Sequence, residues 1–87
     1  MAWDEDLERL TLYVKDHLGE EAWQGAMQRA VAMTTGKLQP VAELPDPPLE
    51  APGMMFRSDG TGVSLDVFYD HLRRELKRLA PTVTSGG

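Results

Sequence analysis

Five of the six prolines in this 87-residue chain lie between positions 37 and 63. Proline donates no backbone hydrogen bond and biases its predecessor towards extended conformations. Prolines at this density therefore disfavour a regular helix or a central strand in the middle of the chain. Residues 37–63 are expected to be a proline-rich connecting loop between two helical blocks. Leu38, Val41, Leu44 and Leu49 are spaced through this stretch. A fully solvated linker has no need of four aliphatic residues, so the segment is expected to lie across the helices and cover part of their core.

The proline-free residues 1–36 read as two helices. In the first, over about 4–18, Trp3, Leu7, Leu10, Val14 and Leu18 recur at spacings of 4, 3, 4 and 4. That is one face of an α-helix, widened by Leu12 and Tyr13. Asp4, Glu5 and Asp6 at its start, and Lys15 and His17 near its end, complement the helix macrodipole. Gly19 is the expected C-terminal stop and the only turn residue before the second helix, over about 20–35. There Trp23, Met27, Ala30 and Val31 share a face, and Ala22, Ala26 and Ala30 form a small-residue ladder suited to close helix approach. Gly36 ends it.

A third helix, over about 64–80, carries Leu65, Phe68, Leu72, Leu76 and Leu79 on one stripe, with Tyr69 beside it. Ser64 is a good N-cap. Between the loop and this helix, Ser58-Asp59-Gly60 signals a turn, and a short β-hairpin is expected near 54–65. The fold class read from the sequence is mainly α: one small helical domain over 1–80, followed by a flexible tail over 81–87. The terminal Gly86-Gly87 matches the ending of ubiquitin-like carriers. Those have a strand-rich body, and this chain is patterned as helical.

Charge narrows the partners. The net charge is −5 and the isoelectric point about 4.8, which argues against binding a phosphate backbone. Residues 1–36 carry −4, residues 37–63 carry −2, and residues 64–87 carry +1. The acidic start of the first helix and the basic half of the third are expected to lie side by side. The second helix opens Glu20-Glu21 and holds a single base, Arg29, which is unlike a helix that docks in a DNA groove. No apolar run approaches the ~20 residues of a membrane span, and the acidic start differs from a secretory signal. The expected compartment is the cytoplasm, with neither membrane nor nucleic acid as a partner.

Catalytic and metal chemistry find little support. There is no cysteine, and His17 and His71 do not have a metal-ligand spacing. Ser58 and Ser64 are accounted for as turn and cap residues, and Gly60-Thr61-Gly62 lacks the remainder of a phosphate loop. No catalytic, cofactor or metal residue is expected. The side chains expected to meet a partner are Trp3, Met54, Met55, Phe56, Arg73, Arg74 and Lys77. Aromatic residues are frequent interface anchors, and methionines adapt to varied surfaces. The expected function is that of a small non-enzymatic protein–protein interaction protein, such as an accessory subunit, adaptor or regulator, acting through helical surfaces. Its partner is another protein, with pairing into a homodimer as one form. The alternative is an acidic inhibitor or immunity protein of a phage, plasmid or toxin system, covering a basic nucleic-acid-binding or nuclease surface.

Overall fold

A computed structural model of the chain describes residues 3–45, 47 and 53–80. The architecture is mainly α with a small two-stranded antiparallel sheet, as the sequence pattern requires. The expected tail over 81–87 and Leu49 lie outside the described residues.

Helix α1 spans Glu5–Tyr13 and starts where Asp4 accepts the Leu7 backbone N–H at 3.0 Å. Glu5, Asp6 and Glu8 fill its first turn, where the partial positive charge of the helix end favours them. The expected helix to residue 18 changes character on the way. Val14–Leu18 form a wider π-helical turn, closed by the Gly19 N–H donating to the Val14 carbonyl at 3.0 Å. Gly19 then leaves at φ 96° and ψ 165°, a region essentially reserved for glycine. This is positive φ, as expected, but in an extended form rather than the left-handed helical one.

Helix α2 spans Glu20–Thr35 and ends at Gly36 in the left-handed conformation, φ 77°. Helix α3 spans Leu65–Leu79, with the Ser64 hydroxyl accepting the Asp66 backbone N–H. The three helices enclose one core of Leu7, Leu10 and Val14 from the first segment, Trp23, Ala26, Met27, Ala30 and Val31 from α2, and Leu65, Phe68, Tyr69, Leu72 and Leu76 from α3. Ala26 and Ala30 are fully buried, so the small-residue ladder brings α2 close to its neighbours. Each fully buried Leu, Val, Met or Phe contributes about 1.5–3 kcal/mol.

Two members of the expected apolar stripe do not join this core. Leu12 and Leu18 are exposed. Leu12 sits on the side of α1 away from the helices, and Leu18 falls at the end of the wide turn, where the chain reverses. One buried hydroxyl, Thr11 Oγ1, has no hydrogen-bond partner among the described residues.

Polar clasps tie the helices together. The Arg73 guanidinium on α3 reaches Asp6 at 2.6 Å and Asp4 at 2.8 Å, so the acidic start of α1 does lie against the basic half of α3. The buried Glu75 carboxylate on α3 accepts from Arg29 Nε of α2 and from Arg78 Nη2 at 2.8 Å.

Among its described residues, the middle segment covers less of the core than expected. It touches α2 where Gln28 Nε2 donates to the Gln39 carbonyl at 3.0 Å, and Leu44 packs on the core. Between these anchors a single 3-10 turn, Val41–Glu43, carries the chain round. Leu38 and Val41 point away and are exposed. The hairpin follows: β1, Met54–Phe56, pairs antiparallel with β2, Gly62–Ser64, placing Met54 opposite Ser64, Met55 opposite Val63 and Phe56 opposite Gly62.

Candidate functional site: the outer face of the hairpin

The hairpin is closed by a tight loop. The Arg57 N–H donates to the Thr61 carbonyl at 2.8 Å, the Gly60 N–H to the Arg57 carbonyl at 2.9 Å, and the Thr61 N–H to Asp59 Oδ1 at 2.9 Å. Gly60 has φ 88°, the left-handed position that ends a three-residue hairpin loop. Hydrogen bonds from the Thr61 hydroxyl and backbone hold the Asp59 carboxyl below its usual range. The loop is docked on α2 by the Ser58 N–H, which reaches the Thr35 carbonyl at 3.4 Å. That carbonyl is one of the last of the helix and has no intrahelical donor. The hydroxyls of Thr34 and Thr35 turn back to Ala30 and Val31 at 2.8 Å each. The Ser58 bond joins the hairpin to the end of α2.

Strand alternation divides the three residues of β1. Met55 points inward and packs against the core. Met54 and Phe56 point outward and are 56% and 65% exposed. They converge over Gly62. A Cβ there would stand 3.4 Å from Met54 Sδ and 3.6 Å from Phe56 Cε1, and would collide with Met54 Cε. Glycine at 62 thus makes room for the two side chains to lie together across the strand pair. Beside them is a hollow of about 320 Å³, lined by Thr35, Gln39, Pro45, Gly53, Leu65 and the β1 residues. Its walls come from α2, the proline-rich loop, β1 and the start of α3.

The other expected contact residues are placed differently. Trp3 is half-buried: its ring meets Tyr69 edge-on with centroids 5.8 Å apart, and its Nε1 donates to Glu8 at 2.9 Å. Arg73 has a side chain only 18% exposed and spends it on Asp4 and Asp6. Arg74 is exposed and pairs with Asp70 one turn earlier at 3.1 Å. Lys77 is exposed on the same helix. The structure therefore brings Met54, Met55 and Phe56 together at one place, while Trp3 and Arg73 belong to the α1–α3 contact.

A second hollow, about 300 Å³, is lined by Asp4, Asp66, Asp70 and Arg73. The Leu7 N–H and the Arg73 guanidinium hold the Asp4 carboxyl below its ordinary value, and Asp4 in turn raises that of Arg73. Of these groups, Asp4 is taken up by Arg73 and the α1 cap, Arg73 also holds Asp6, and Asp70 pairs with Arg74. Among the described residues, no cluster of three or more His, Asp or Glu could hold a metal ion. No described helix is long and apolar enough to cross a membrane.

The hollow beside β1 was not visible in the sequence. Thr35, Gln39, Pro45 and Leu65 meet only through tertiary packing. Gly62 left one local sign, a glycine placed to oppose an aromatic residue across a short hairpin. No protein-family model matches the chain, and no curated protein or solved structure matches it either.

Proposed function

We propose that this chain is a small non-enzymatic interaction protein that binds another protein through the outer face of its hairpin. The observation that supports this reading is the pairing of two large exposed apolar side chains, Met54 and Phe56, over Gly62 beside an apolar-walled hollow. Leaving a phenylalanine in water forgoes about 1.5–3 kcal/mol of burial. Its neighbour Met55 does pack against the core. A methionine beside an aromatic ring offers an adaptable, polarisable contact, and aromatic residues are common binding anchors. In this reading the helices are the scaffold, and the hairpin, docked on the end of α2, presents the contact.

The test is affinity capture with the tagged chain, comparing wild type with Met54→Ser/Phe56→Ser and with Lys77→Glu. Expected is one protein retained at matched salt by wild type and Lys77→Glu, and reduced at least tenfold by the double variant, whose helical circular dichroism is unchanged. Equal retention by the double variant overturns the hairpin assignment. Retention that instead collapses between low and physiological salt in all three favours the acidic inhibitor reading, because charge-driven binding is screened within about 10 Å at 0.1 M.

A further inference from the structure

We draw no further inference here: the strongest candidate, the hollow between β1, the end of α2 and the proline-rich loop, belongs to the site already described, and nothing in the structure shows what covers it.

Discussion

The chain has two phenylalanines, and they live in opposite surroundings. Phe68 is fully buried in the middle of α3, its ring tilted against Tyr69 with centroids 5.4 Å apart. Phe56 is 65% exposed on β1, over a glycine. The helical region buries nearly every large apolar side chain that its periodicity places inward. The hairpin region buries Val63, half-buries Met55, and turns Met54 and Phe56 out. In the first region the apolar side chains hold the chain together. In the second, the backbone is secured by other means: the loop hydrogen bonds, the Ser58–Thr35 tie and the inward Met55 and Val63. Met54 and Phe56 are thus spared from structural duty.

The sharpest test of this contrast is alanine at each phenylalanine. Phe68→Ala removes a fully buried ring and should cost about 3–5 kcal/mol. For a chain this small, that is enough to abolish cooperative unfolding in urea. An ordinary, shallow loss would mean that the core is looser than its burial implies.

Next in size is the clasp between α1 and α3. Replacing Asp4 with alanine removes the helix cap and one Arg73 partner, and should cost about 0.5–2 kcal/mol. The same carboxylate makes the helical core sensitive to acid. Asp4 and Glu75 both have depressed folded values. For Asp4 the cause is the Leu7 N–H and then Arg73. For Glu75, burial pushes upward and the hydrogen bonds from Arg29 and Arg78 more than offset it. Groups of this kind stabilise fully above their ordinary values, 3.8 and 4.5, and lose that contribution as pH falls through the folded ones. The urea midpoint should therefore drop between pH 6 and pH 3. The drop should shrink in Asp4→Asn and Glu75→Gln. A midpoint as steep in both variants as in wild type would detach these pairs from the acid response.

Thr11→Val probes a flaw inside the well-packed region. The buried Thr11 hydroxyl lacks a partner among the described residues, and valine keeps the shape while removing the polar atom. The change should be neutral or stabilising by about 1 kcal/mol. A loss of stability would mean that the hydroxyl is hydrogen-bonded in solution. Smallest of all is Phe56→Ala, which should move stability by no more than about 0.5 kcal/mol. A loss near that of Phe68→Ala would erase the distinction between the two regions.

What could be read from the sequence follows the same division. The α3 stripe from Leu65 to Leu79 and its Ser64 cap were legible because a single period of 3.6 governs them. The turn at Ser58–Gly60 was legible from local chemistry. In the first segment the periodicity carried through Val14 and then failed at Leu18, because a widened turn leaves no mark in the residue pattern. Leu38 and Val41 were misread as covering residues. Their orientation depends on where Gln28 and Leu44 pin the loop, which is a matter of distant contacts. The site was half legible: Met54 and Phe56 stood out by type, but Arg73 and Trp3 looked equally available until their partners on α1 and α3 were in view.

The wide turn at Val14–Leu18 also bears on how the chain can change in length. The bond from Gly19 back to Val14 spans one residue more than an α-helical bond does. Delete one residue between them, and the same glycine can meet the same carbonyl by the ordinary spacing. A deletion inside α2 or α3 instead rotates every later side chain of that helix by about 100° and carries its apolar stripe off the core. The joint between the first two helices is therefore the point in the helical scaffold with slack for one residue. Length variants that still fold are expected to differ there before they differ in α2 or α3.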